Sequence, residues 1–216
     1  PIIAKVCPPG GTVMDVGANM GDWAIPMAKA VGPTGHVIAF EPVPYLADAL
    51  DKTLKVNGFS ASEVSRKALS DTTGKAAFTI AQNEGDLLNV RCSGLTVDLE
   101  GGKQTTVGTM TLDDFCEKAQ IDRLDFIKID VEGYEFEVLK GACETLMNQS
   151  LKALIVELNG SGKRYGYEDN DVHKKLIDHG FTPFEYNPLT RSLSPIKTFG
   201  SQNTIYIRDI DFVTHR

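Results

Sequence analysis

The sequence has no long apolar run: nothing in its 216 residues approaches the roughly 18 consecutive apolar positions of a membrane span. It also has no C-x-x-C pair. Cys7, Cys92, Cys116 and Cys143 lie far apart, which argues against a structural zinc site and for buried free thiols. Histidine is sparse, and His36, His173, His179 and His215 form no pair at metal-ligand spacing. Basic residues are in deficit: 22 Lys and Arg against 29 Asp and Glu give a net charge of -7, a field that opposes a polyphosphate partner such as nucleic acid. No tract is biased enough to suggest disorder, and no basic-then-apolar leader is present. A globular, cytoplasmic protein without membrane or nucleic-acid partners is the expectation, and the start at Pro1 points to a native N-terminus that is partly missing.

What is present is alternation. Short β-branched runs take turns with segments of helical period, the pattern of βαβ units and a parallel sheet. Thr12 to Val16 reads as the first strand and His36 to Phe40 as the second, with a helix between them beginning close to Asp22, because Pro26 lacks a donor N–H and fits only an early helical position. Leu46, Ala49, Leu50 and Leu54 form the stripe of a helix over 44–57, and a third strand is expected at 63–68. Thr111-Leu112-Asp113-Asp114 resembles a capping box opening a helix that runs to about Ala119. Asp125 to Asp130 is the fourth strand, 134–147 a helix, and Leu151 to Val156 the fifth strand. A helix over 169–179 and a terminal strand at 204–207, added antiparallel at the sheet edge, complete a doubly wound, Rossmann-like α/β fold in one domain over 1–216. The interval 74–110 breaks the rhythm: Ala76 to Ile80 and Thr105 to Met110 bracket a polar stretch containing Gly85, Gly94, Gly101 and Gly102, and the interval reads as a hairpin insertion that either forms part of the acceptor pocket or is disordered.

In such a sheet ligands sit beyond the carboxyl ends of the strands. Four acidic residues stand there: Asp15, Glu41, Asp130 and Glu157. Gly17 and Gly21 bracket the turn after the first strand, where a missing Cβ permits positive φ and close approach of a ligand to the backbone. The loop reads G-A-N-M-G and lacks the middle glycine of a dinucleotide fingerprint, and the preceding Asp15 suits a cation or an ordered water better than a phosphate. Glu41, 20 residues after Gly21, can accept hydrogen bonds from both hydroxyls of a ribose. A ribose-bearing ligand without pyrophosphate is the combined demand, and S-adenosylmethionine meets it.

The same residues carry a family resemblance. Asp15 to Asn19 with Gly21, Phe40-Glu41-Pro42-Val43-Pro44, Thr111 to Asp114, and Ile127-Lys128-Ile129-Asp130-Val131-Glu132-Gly133-Tyr134-Glu135 resemble the FkbM methyltransferases in order and spacing over about 13–157, with a weaker echo at 202–207. Ala24 departs from a threonine frequent in that family, so a hydroxyl contact there is either absent or supplied by another residue. The resemblance implies a seven-stranded class I methyltransferase sheet with its last strand antiparallel, and often O-methylation of sugars, polyketides or other hydroxylated small molecules.

The expected cofactor contacts are Asp15, Gly17, Ala18, Asn19, Gly21, Asp22 and Trp23 from the first loop, Glu41 and Pro42 from the second, Ala68 and Leu69 beside the adenine, and Asp130. A sulfonium methyl is already electrophilic, so the protein need only align donor and acceptor and take up a proton; Asp130 leads as general base, with Glu132 and Glu157 behind it, and no metal is assigned. Asp130 could equally contact the cofactor, cap the following helix, or join Glu157 or Asn159 around a cation. Lys163, Arg164, Tyr165 and Tyr167 either contact a polar acceptor or form a solvated loop. A nicotinamide-dependent oxidoreductase and a catalytically silent module of the same fold remain as alternatives.

Overall fold

The computed structural model describes residues 2–80, 94–95 and 103–214. In chain order the elements are α1 (Ile2–Val6), β1 (Thr12–Val16), α2 (Ala24–Val31), β2 (His36–Phe40), α3 (Pro44–Val56), β3 (Glu63–Ser65), β4 (Ala68–Leu69), β5 (Gly74–Ile80), β6 (Gly94–Leu95), β7 (Lys103–Met110), α4 (Leu112–Lys118), β8 (Phe126–Ile129), α5 (Glu135–Lys140), α6 (Cys143–Met147), β9 (Ala153–Glu157), α7 (Asp169–Asp178), β10 (Thr182–Asn187), β11 (Ser192–Pro195), β12 (Asn203–Ile207) and α8 (Ile210–Thr214). A 3-10 turn, Ser161–Tyr165, links β9 to α7.

The main sheet runs β11-β10-β12-β9-β8-β1-β2-β3. Pairing is parallel from β9 to β3 and antiparallel from β9 through β12 and β10 to β11. The expected seven strands are therefore eight, and β12 lies inside the sheet, because the β10–β11 hairpin pairs along its outer side. That hairpin escaped the sequence reading because Thr182–Asn187 is short, contains Pro183 and fully buries only that residue, so its composition looks like a loop.

Side chains alternate between the two faces, as a pleated strand requires. Met14, Val16, Ile127, Ile129, Leu154 and Val156 pack with the face that α4 to α7 cover. Val13, Phe126, Ala153 and Ile155 pack on the other, under α1, α2, α3 and α8. Lys128 shares the parity of Phe126 and sits beside Asp15 in the β1–β8 register, so two charges face each other inside a sheet buried on both sides.

The expected strand at 63–68 is two: Glu63–Ser65 pairs with β2, whereas Ala68–Leu69 leaves for a second sheet of order β4-β7-β5-β6. There the two runs of the insertion pair antiparallel from Gly74↔Thr109 to Ile80↔Lys103. Phe78 and Val107 pack on Val43, Leu46 and Ala68, fixing this sheet against the loop after β2 and the start of α3. Most of the polar stretch, including Gly85, Gly101 and Gly102, lies outside the described residues, as do Cys92 and His215. The helix read as 134–147 is broken into α5 and α6 at Gly141, where any Cβ would stand 2.1 Å from the Ser70 carbonyl oxygen. Thr111 caps α4 by accepting from the Asp114 N–H at 3.0 Å, and Asp113 accepts from the N–H groups of Glu144 and Thr145, both at 2.9 Å, clamping α4 to the start of α6. The T-L-D-D segment is thus scaffold. Among the described residues no helix is long and apolar enough to cross a membrane, and Cys7, Cys116 and Cys143 are free thiols.

Candidate active site

A cavity of about 380 Å³ opens at the carboxyl ends of β1, β2, β8 and β9, within the range of small-molecule sites. The loop after β1 supplies Gly17, Ala18, Asn19, Asp22 and Trp23, the loop after β2 Glu41, Pro42 and Val43, and the second sheet Ala68, Leu69 and Phe78. From β8 come Lys128, Asp130, Val131, Glu132 and Tyr134, and from β9 and β12 Glu157, Gln202 and Asn203.

The first loop is built for close packing. Gly17 has φ +79°, and a Cβ there would stand 1.9 Å from the Asp130 carbonyl oxygen, so the turn can pass between β1 and the β8 loop only without a side chain. Its N–H and that of Ala18 donate to the Phe40 carbonyl, both at 3.0 Å. Asn19 takes φ +48°, a conformation that Asn tolerates better than most residues. Its N–H donates to Glu41 Oε2 at 2.9 Å, while the Val43 N–H donates to Oε1 at 2.8 Å. Glu41 thereby ties two loops together with one lone pair on each oxygen engaged. Burial raises its carboxyl to about 7, against the pull of those two N–H groups.

Asp15 and Gly21 stand behind the cavity wall. Asp15 is fully buried, and its carboxylate makes no side-chain hydrogen bond of normal geometry. Its charge is compensated by Lys128 Nζ at 3.8 Å and by the Ala24 N–H at the start of α2. Burial outweighs both and raises its carboxyl to about 6. A Cβ on Gly21 would meet Leu50 at 2.6 Å, so this glycine serves helix packing.

Lys128, 2 % exposed, contacts Asp130 Oδ2 at 2.8 Å and lies 5.8 Å from the Trp23 ring centre. The sequence reading passed over it, although a lysine in the otherwise apolar strand F-I-K-I carries a signal: a charge buried in a parallel strand needs partners. Lys67, Tyr134, Phe78, Gln202 and Asn203 were also absent from the expected set; they reach the cavity through long-range packing, which leaves no local signature.

Carboxylate atoms of Asp130, Glu132 and Glu157 lie within 4.8 Å of one another, a spacing that a hard cation could bridge. Burial, then the charges of Asp130, Glu132 and Glu135, push Glu157 up to about 8. Glu132 takes φ +54°, and Glu135, 3 % exposed, folds the loop beneath it by accepting from the Val131 and Gly133 N–H groups at 3.0 and 3.1 Å. Tyr167 donates to the Gly133 carbonyl and accepts from the Phe136 N–H. Asp130 and Glu132 of the K-I-D-V-E-G-Y-E segment thus face the cavity while Glu135 holds the loop.

Lys163, Arg164, Tyr165 and Tyr167 do not line the cavity. Lys163 pairs with Glu168 at 3.6 Å, Arg164 Nε donates to the Ser161 carbonyl, and Tyr165 packs edge-on against Tyr134 with ring centres 4.9 Å apart.

A parallel α/β sheet with an antiparallel flank, a glycine turn after β1 and a carboxylate closing β2 define a class I methyltransferase fold. Solved structures of this class superpose on it: an rRNA methylase from Streptococcus thermophilus at TM-score 0.51 and 11% identity, covering 95% of this chain and 91% of that one, and fibrillarin from Aeropyrum pernix, with natively bound S-adenosyl-L-methionine, at TM-score 0.50 and 13% identity, covering 94% and 68%. The methyltransferase FkbM domain matches residues 15–183, and the chain belongs to that family. Its relatives include the hexuronic acid methyltransferase AglP of Haloferax volcanii, 32% identical over 76% of this chain and 60% of that protein, and the 2-O-methyltransferase NoeI of Sinorhizobium fredii, 27% identical over 67% and 63%. The chain thus spans about three fifths of the length of these relatives.

Proposed function

We propose that this chain transfers the methyl group of S-adenosylmethionine to a hydroxyl of a small molecule. The observation that carries the reading is Glu41: a nearly buried carboxylate, held by one backbone N–H on each oxygen, on the wall of a cavity beside a side-chain-free turn. Its remaining lone pairs suit two ribose hydroxyls, and Ala68, Leu69 and Phe78 supply an apolar slot for a base. The turn at Gly17 to Asn19 lets the amino-acid end approach the backbone. Asp15 acts from behind it, as a buried negative charge that favours a cationic ligand. Membership of the methyltransferase family sets the oxidoreductase alternative aside.

Bound there, the cofactor supplies a methyl group already activated by a positive sulfur. The protein's work is alignment and proton uptake. With the methyl donor in place, the Asp130 and Glu157 carboxylates, with Glu132 beside them, would take up the proton that the acceptor hydroxyl releases. Lys128 holds Asp130 in orientation through its contact at 2.8 Å. NoeI, whose name states a 2-O-methyltransferase, and AglP, named for hexuronic acid, support an oxygen acceptor on a sugar-like molecule.

Calorimetric titration with S-adenosylhomocysteine tests the reading. Micromolar or tighter binding that weakens at least about tenfold in Glu41→Ala is expected, a loss of about 1.4 kcal/mol. No binding by the intact protein would refute it. Transfer of labelled methyl into a panel of hydroxylated sugars, lipids and polyketides then separates an enzyme from a silent module.

A further inference from the structure

The order β9-β8-β1-β2-β3 splits the cavity. The β1, β2 and β4 ends make the side read above as the cofactor half, to which we assign Lys67 because it precedes Ala68 of β4 in the chain. The β8, β9 and β12 ends make the half that faces the acceptor, and the inference rests on that assignment.

The acceptor half has one chemical character. Asp130, Glu132 and Glu157 offer carboxylate oxygens, and Gln202 and Asn203 add carboxamides. Among the described residues it has no cation to spare: Lys128 is buried between Asp130 and Asp15. Lys163 and Arg164, in the neighbouring loop, face away from the cavity onto Glu168 and the Ser161 carbonyl. Tyr134, which also packs against the Val43, Leu46, Ala68 and Phe78 cluster, supplies the apolar surface where the two halves meet. Its hydroxyl is 3.3 Å from Ser70 Oγ and its ring is braced edge-on by Tyr165, so the ring is fixed while it lines the cavity.

From this lining we propose that the acceptor is a ring-shaped polyol that is neutral or carries an amine, packed on Tyr134 with its hydroxyl or ammonium donors on Glu132, Glu157 and Asn203, and that acceptors bearing a carboxylate or phosphate are rejected. Each carboxylate can accept several hydrogen bonds from hydroxyls or an ammonium group. A further negative charge roughly 5 Å from one of them is disfavoured on the order of a hundredfold at the effective dielectric of a protein surface, reduced by salt. The acceptor then differs in charge from the hexuronic acid in the name of AglP.

The test incubates the whole chain with S-adenosylmethionine labelled in its methyl group and an equimolar mixture of neutral glycosides, amino-glycosides, glycuronides and sugar phosphates, and resolves the products by ion exchange. At least about tenfold more label in the neutral and cationic products than in the anionic ones is expected, with Glu132→Lys shifting the ratio toward anionic products by about tenfold. Equal or greater labelling of anionic products by the intact protein overturns the proposal, as does an unchanged ratio in Glu132→Lys. Label in no product, from protein that binds S-adenosylhomocysteine, overturns the reading of the cavity as a catalytic site. Failure to bind S-adenosylhomocysteine overturns the cofactor assignment instead.

Discussion

Replacing Asp15 by Asn should make the protein more stable and a poorer binder of the cofactor. The carboxylate is fully buried, with no side-chain hydrogen bond of normal geometry, and burial raises its carboxyl from 3.8 to about 6. Each pH unit between folded and unfolded values is worth about 1.4 kcal/mol, so the interval corresponds to roughly 3 kcal/mol. The folded value is the higher one. Folded molecules therefore hold the extra proton, and the stability this gives is present below pH 3.8 and lost as pH rises through about 6. Asn cannot ionise, so the stability of Asp15→Asn minus that of the intact protein should grow by about 2.4 kcal/mol between pH 4 and pH 7. Urea unfolding at each pH unit across that range measures the difference, and calorimetry at pH 7 should show S-adenosylmethionine binding about tenfold more weakly. A difference independent of pH, or one that shrinks as pH rises, would refute the claim that this charge is held at a cost in stability for the sake of the site.

Gly17→Ala should destabilise the fold by more than about 3 kcal/mol, read as a fall in thermal midpoint or loss of soluble protein, because its Cβ would stand 1.9 Å from the Asp130 carbonyl oxygen. Arg208 donates to the carbonyls of Leu146, Asn148, Leu151 and His179 and stacks on Phe181. Arg208→Met should lower the thermal midpoint by about 5–10 °C, from roughly 2–3 kcal/mol of lost carbonyl bonding, with S-adenosylhomocysteine affinity intact. Glu135→Ala frees the loop carrying Asp130 and Glu132, so kcat should fall about a hundredfold while calorimetry shows cofactor affinity within about threefold of the intact protein. If Glu157 must ionise to take the acceptor proton, kcat/KM should climb with pH to a plateau above about 8, and Glu157→Gln should abolish that limb in a pH–rate profile.

The parallel core was legible because its strands are apolar runs with abrupt ends: Thr12–Val16 and His36–Phe40 have the boundaries that β-branched composition suggests. Helix α3 was legible from its stripe, and Thr111 from its capping chemistry. The reading failed where tertiary contact overrides local pattern. Ala68–Leu69 continues a strand-like run yet turns into another sheet, and Gly141 ends a helix because the Ser70 backbone passes beside it. Of the residues expected around the cofactor, those in the loops after β1 and β2 come together on the cavity wall, apart from Asp15 and Gly21. Lys128, Tyr134 and Asn203 belong to the same wall, but which strand end meets which is decided by sheet order, and a single sequence does not show it.

The central claim is that the cavity holds S-adenosylmethionine with Glu41 on its ribose. Calorimetry of the intact chain and Glu41→Ala, each with S-adenosylhomocysteine and with its 2′,3′-dideoxyribose analogue, tests it most directly. The account predicts that loss of the hydroxyls weakens binding at least about tenfold in the intact protein and has little effect in Glu41→Ala. An equal loss in both proteins, or no binding by the intact chain, would contradict it.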